Sequence, residues 1–163
     1  MISKPQRRCA LILAGVWFLF AAPKAAMSES SSNQQRDISQ EERNRDLVVR
    51  FYDRFFNAHD MAAADEMLSE DYVQHNPNIP TGRAAFVTFA TQRFAQFPQS
   101  HSTIIRSAVD NDLVYLHIHS VDQSGDRGRA IINIFRVKGG QIVEHWDVVQ
   151  SVPATSANQN TMF

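Results

Sequence analysis

Gly140-Gln-Ile-Val-Glu-His-Trp-Asp147 follows a glycine turn and reads as a β-strand. Yet it carries a glutamate, a histidine, a tryptophan and an aspartate where a core strand carries aliphatics. Strand side chains alternate between faces, so Val143, His145, Asp147 and Val149 are expected on one side and Glu144, Trp146 and Val148 on the other. A carboxylate and an imidazole one strand step apart among valines are costly to bury unless they are paired or put to use.

Three further strands are expected upstream, over Ser102–Val109, Leu113–Val121 and Gly128–Val137, with the last over Gln141–Val149. The connections Asp110-Asn-Asp112, Ser124-Gly-Asp-Arg-Gly128 and Lys138-Gly-Gly-Gln141 are short and turn-rich, which makes neighbouring strands antiparallel. Arg127 and Arg129 flank one of these turns and are expected in solvent. In Ala130-Ile-Ile-Asn-Ile-Phe135, Ile132 and Ile134 face opposite to Ile131 and Phe135. Both faces therefore need cover. Helices supply one side, and a second copy of the chain is the simplest cover for the other, so a homodimer through the sheet is expected.

Before the strands come helices. Ser39-x-x-Glu42 has capping-box spacing and is expected to start the first. Leu47, Val48, Phe51, Tyr52, Phe55 and Phe56 then form one broad apolar stripe. Asn57-Ala-His-Asp60 interrupts it, and Asp60 is placed to cap a short second helix through Met67 and Leu68. Tyr72-Val-Gln-His-Asn-Pro77 is expected to be extended, because a residue before proline avoids helical geometry. A third helix after Thr81-Gly82 carries Phe86, Phe89, Ala90, Phe94 and Phe97 on one stripe. Helices first and strands afterwards indicate an α+β domain with its helices on one face of a curved sheet.

The first 28 residues are set apart from this domain. Lys4, Arg7 and Arg8 precede an apolar run from Cys9 to Ala22 that is short for a bilayer span, and small residues follow. That is the layout of a secretory signal peptide, so a periplasmic or secreted protein is expected, with no membrane attachment after cleavage. Residues 29–38 read as a polar linker, 39–152 as the domain, and 153–163 as a tail that is polar until Met162-Phe163. Cys9, the one cysteine, would leave with the leader, which removes disulfides, thiolate chemistry and cysteine metal sites. The formal charge of −1 would fall to about −5 as four basic residues depart, a sign that disfavours nucleic acid as a partner.

Three segments resemble the SnoaL-like branch of the NTF2-like superfamily: Phe51-Tyr-Asp-Arg-Phe-Phe-Asn-Ala-His-Asp60, Asp71-Tyr-Val-Gln-His-Asn-Pro77, and Ile134-Phe-Arg-Val-Lys-Gly-Gly-Gln-Ile-Val-Glu-His-Trp-Asp147. The resemblance runs from about residue 41 to the C-terminus. It implies a cone-shaped α+β barrel with a deep pocket between helices and sheet. Relatives range from polyketide cyclases and ketosteroid isomerase to binding proteins without catalysis, so fold alone fixes no reaction. The cyclases of this branch close rings by intramolecular aldol condensation without a cofactor, using an aspartate as acid and base. That aspartate falls on Asp147. A histidine that assists it falls here on Asn133, whose amide can donate to a carbonyl but cannot titrate.

Asp147 is thus the expected catalytic base, removing a proton next to a carbonyl, with Asn133, His117 or Tyr72 as donor to the developing enolate. Tyr72, Gln74 and His75 are expected at the pocket rim. His117, His119, His145 and Phe135 complete the expected contacts to a small, mostly apolar carbonyl compound. The pair His117-x-His119, with His75 or His145, has the makings of a zinc site. No carboxylate accompanies it at ligand spacing, however, and polar pocket lining is the reading kept, with neither metal nor cofactor. A ligand-binding protein with the same pocket and no turnover is the alternative.

Overall fold

The computed structural model describes residues 36–163. The expected leader and the linker up to residue 35 lie outside the described residues. The first helix, α1, runs over Ile38–Tyr52 and passes directly into a π-helical turn, Asp53–Asn57. It is capped by Asp37, whose side chain accepts from the Gln40 N–H at 3.0 Å, and not by Ser39 as the capping box suggested. Glu41 is instead turned inward. Its carboxylate takes the Arg36 guanidinium on both oxygens and the Asn111 backbone N–H, while the Asn44 amide donates to the Asn111 carbonyl. Asn111 has φ of 56°, so the start of the helix clamps a left-handed hairpin turn.

The short helix α2 covers Ala62–Met67, with the Asp60 side chain accepting from Ala62 N–H. Leu68–Gln74 then forms strand β1, and Arg83–Gln96 forms α3. Strands β2 (His101–Asp110), β3 (Leu113–Val121), β4 (Arg129–Lys138) and β5 (Gln141–Ser151) follow as a meander. The sheet has the order β1-β5-β4-β3-β2 and is open at both edges. Four strands were expected and five are found. The fifth is β1, which begins at Leu68, expected to end the second helix, and takes in Tyr72–Gln74 of the segment expected to be extended; it adds in parallel to β5 with Gln74 opposite His145. No helix among the described residues is long and apolar enough to cross a membrane.

The core lies between the helices and one face of this sheet. Phe51, Phe55, Leu116, Ile118 and Ile142 are fully enclosed there. Each such side chain contributes about 1.5–3 kcal/mol by leaving water. The Phe51 and Phe55 rings stack at 5.1 Å, and Phe55 stacks on Phe86 at 5.1 Å, which ties α1 to α3. The π-helical turn adds a residue to the helix end. It presents Asn57 edge-on to β2, where its amide pairs with both the N–H and the carbonyl of Ser102, at 2.8 and 3.0 Å.

One expectation about faces is corrected by a β-bulge. Arg136 pairs with Glu144 and Val137 with Ile142, which leaves Val143 as an extra residue. Ile142, rather than Val143, therefore shares the inner face with His145 and Asp147.

At the other end of β4 the hairpin depends on Gly128, whose φ is 74° and whose added Cβ would lie 2.3 Å from the Ser120 carbonyl oxygen. We expect Gly128→Ala to lower stability by at least about 1–3 kcal/mol, the usual cost of a strained backbone residue, with the clash adding to it. Urea unfolding checks this, and an unchanged midpoint would contradict the geometry.

Candidate active site

The inner faces of β3, β4 and β5 form the floor of a cavity of about 400 Å³, roofed by the helices. Its walls are mostly aromatic and aliphatic, with Phe56, Phe86 and Phe89 from the helices and Ile131 and Val149 from the sheet. Asp147, Asn133, His145, Asn76 and Tyr52 bring polar atoms to it. The register explains how. Asn133 is opposite Asp147, and Phe135 is opposite His145.

Asp147 receives the Asn76 amide on both carboxylate oxygens, at 2.7 and 2.9 Å. That amide cannot be turned around, because its own oxygen accepts the Asn78 N–H at 2.9 Å. Two effects then compete at Asp147. Burial pushes its pKa up, the Asn76 donor pulls it down, and burial wins.

His145 is almost completely enclosed and lies flat against Phe135, ring centroids 4.6 Å apart. Burial, aided by the nearby His75, pushes its pKa down to about 3, so the ring is neutral. Its Nδ1 meets Gln74 Oε1 at 3.0 Å, and its Nε2 meets Asn133 Oδ1 at 2.8 Å. A neutral imidazole has one donor and one acceptor, so two oxygens cannot both be satisfied. Gln74 Oε1 is fixed as an oxygen because it also accepts the Asn76 N–H at 2.9 Å. The proton is therefore on Nδ1, and the Asn133 amide must turn its nitrogen to Nε2. That orientation also removes the one buried side-chain nitrogen without a partner among the described residues, Asn133 Nδ2.

One N–H of the Asn133 amide holds the His145 ring, so Asn133 is at least a positioning residue, and only its second N–H is left to face the cavity. Tyr52, expected only within the helical stripe, is a further donor at the cavity. Its hydroxyl lines the cavity beside Ser102 and Asn133, and burial pushes its pKa up to about 12, so it keeps its proton.

Other expected contacts fall elsewhere. Tyr72 is enclosed behind the cavity wall, packed on Phe86, and its hydroxyl accepts from the Gln74 amide at 3.3 Å. Gln74 braces His145, and Phe135 lies beneath it in the core. His75 is on the outer face, stacked on Trp146 at 4.6 Å and bonded to Glu144 at 2.9 Å. His117 and His119 are also on the outer face, because Leu116, Ile118 and Ser120 take the inner positions of β3. His117 meets Arg106, His119 meets the Arg127 carbonyl, and the Phe163 ring covers His119 at 4.2 Å. Among the described residues no group of three His, Cys, Asp or Glu side chains is gathered as for a metal.

Arg129, expected in solvent, instead lines the cavity together with Arg93. The sequence reading missed Tyr52, Arg93 and Arg129, and named Asn76 only as part of an extended rim. The in–out alternation of β4 was the available signal for Arg129, since it shares parity with Ile131 and Asn133.

An open, mixed sheet wrapped by three helices around an apolar cavity with one desolvated aspartate defines an NTF2-like pocket protein. Residues 48–145 match the SnoaL-like domain, and the chain belongs to that family. Among solved structures, it is similar to IdmH from Streptomyces antibioticus, a candidate polyketide cyclase, at 24% identity and a TM-score of 0.57, over 65% of this chain and 91% of that one. A candidate ketosteroid isomerase from Kribbella flavida is 20% identical with a TM-score of 0.59, over 73% and 86%. An NTF2-like protein of unknown function from Mesorhizobium loti is 25% identical with a TM-score of 0.57, over 69% and 94%. No curated protein sequence matches the chain.

The depressed pKa of His145 has a pH signature. Between its ordinary value of 6.5 and about 3 the unfolded chain takes up a proton that the folded form refuses. Its contribution to stability is therefore full above pH 6.5 and lost as pH falls. We expect nitrogen NMR at pH 5.5 to find His145 neutral with the proton on Nδ1. An imidazolium signal at that pH would overturn the assigned network.

Proposed function

We propose that this protein is an exported acid/base enzyme of the cyclase or isomerase type, acting without a cofactor on a small apolar carbonyl compound. The observation that carries this reading is Asp147, a carboxylate whose pKa is raised by burial inside an apolar cavity and which is held in place by Asn76. Asp147 takes the proton from the carbon next to the substrate carbonyl. The Tyr52 hydroxyl donates to the enolate oxygen that forms, and the apolar walls keep water from competing for the base. The electron pair left on carbon then attacks a second carbonyl in the same molecule, whose C–O π bond breaks to an alkoxide that takes the proton back from Asp147, or the enolate is reprotonated at another carbon by Asp147. Export rests on the leader-like sequence of residues 1–28. A homodimer through the outer sheet face completes the reading, since Ile132 is 43% and Val148 71% exposed there.

A binding protein without turnover is the second reading. What favours it is Asn133, which brings an amide where the resembled cyclases have a titratable histidine.

Exchange of the protons adjacent to the carbonyl of 2-tetralone in deuterated buffer, followed by NMR, tests the base without presuming the final product. We expect the protein to accelerate exchange and Asp147→Asn to reduce that acceleration by about 10²–10⁴-fold. Equal exchange by the two proteins would leave the binding reading. The same variant should melt higher than the wild type at pH 7. A carboxyl whose folded pKa is raised above 3.8 costs stability once it is ionised, and the difference should vanish below that pH. For the dimer, Val148→Lys is expected to give a monomer in equilibrium sedimentation. A wild-type chain that is already monomeric at micromolar concentration would end that proposal.

A further inference from the structure

The cavity floor is banded. Across β2, β3 and β4, Ser102 is opposite Ser120 and Ser120 is opposite Arg129, one polar row. The next inward row is Ile104, Ile118 and Ile131, with Val149 opposite Ile131 on β5. The row after that brings Asn133 and Asp147. Two polar ends are thus separated by an aliphatic band. Arg129 and Asn133 are four residues apart on β4, about 13 Å between their Cα positions at about 3.3 Å per residue.

The proton-transfer chemistry uses only the Asp147 end. At the other end, Arg93 from α3 and Arg129 from β4 both line the cavity. They share a single carboxylate, Asp122. Arg129 binds it with two nitrogens, at 2.9 and 2.6 Å, and Arg93 binds it with one. Each guanidinium has five N–H donors, so most remain free after these bonds. Asp126, the other nearby carboxylate, is exposed in the hairpin turn and accepts from the backbone N–H groups of Gly128 and Asp122. Arg93 also lies over the Phe97 ring at 4.7 Å. Two guanidiniums bound directly to one carboxylate, with Asp126 acting on Arg129 from the exposed turn, form a partly desolvated wall richer in N–H donors than its bound carboxylate uses, flanked by the hydroxyls of Ser102 and Ser120.

We propose that the ligand carries a carboxylate, which Arg93 and Arg129 hold at the end of the cavity opposite Asp147. Asp122 and Asp126 formally balance the two guanidiniums, so a monoanion adds one negative charge to the cluster, whereas a phosphate dianion would add two. Guanidinium N–H pairs fit a planar carboxylate bidentately. The band of isoleucines between the ends suits an aliphatic or aromatic spacer. This rests on the reading of Asp147 as the reactive end, and it narrows the substrate class to keto acids.

The test compares 6-oxo-6-phenylhexanoate with its neutral methyl ester by isothermal titration calorimetry at low salt. The wild-type protein is expected to bind the acid at least ten-fold more tightly than the ester. In Arg93→Gln and in Arg129→Gln that preference should shrink several-fold, and in the double variant it should disappear while ester affinity is kept. Arg93→Gln leaves the bidentate Arg129–Asp122 pair in place, so it reads the charge even if Arg129→Gln disturbs the hairpin. Equal affinity for acid and ester, no binding of the acid at millimolar concentration, or a preference untouched in the variants would each overturn the proposal. Binding is measured without turnover, so an acid preference that survives beside an inert Asp147 would refute the enzyme reading and leave this one standing.

Discussion

His145 is buried and neutral between two side-chain amides, and it joins three strands at the point where the site is assembled. Gln74 comes from β1, Asn133 from β4 and the imidazole from β5. Desolvation makes a charged ring too costly here, so each amide has one allowed orientation and each strand one position relative to the others. Gln74 in turn accepts from the Asn76 backbone, and Asn76 reaches Asp147. A chain of hydrogen bonds thus runs from a ring that stays neutral down to about pH 3 to the Asp147 carboxylate. The position of the Asp147 carboxylate is set by groups that carry no charge themselves.

Local pattern reported what local physics decides. The aromatic stripes of α1 and α3, the three hairpins and the inward direction of Asp147 all follow from side-chain periodicity and turn residues near in sequence. What the pattern did not reveal depends on distant parts of the chain. Nothing near Leu68–Gln74 says that it will pair in parallel with a strand about seventy residues later, and so Asn76 was not recognised as the partner of Asp147. His117 and His119 were assigned to the pocket on chemical type, although Leu116 and Ile118 beside them fill the core better. Once aliphatics take the inner positions, alternation sends both imidazoles outward. Arg129 was misjudged for the opposite reason: its neighbouring turn suggests solvent, while its parity with Ile131 and Asn133 places it inside.

The two polar ends of the cavity differ in kind. At one, a carboxylate is held by a neutral donor and its pKa is raised by burial. At the other, two guanidiniums meet on the Asp122 carboxylate with Asp126 close by. The outer face of the sheet shows a third pattern, in which Arg136 bridges Asp112 and Glu144 beside the stacked Trp146 and His75. Ion pairs this exposed contribute little to stability, so the molecule's energetic investment lies on the inner face.

The bulge at Val143 bears on how such a strand can change length. Because Val143 is the surplus residue, removing it would restore plain alternation from Ile142 through Glu144 to His145, with every inward side chain still inward. A deletion anywhere between His145 and Val149 would send the residues beyond it to the opposite side. The strand therefore has one position where a gap is silent, and it lies on the turn side of the site. Lineages that shorten or lengthen this hairpin there would keep the same floor beneath the ligand.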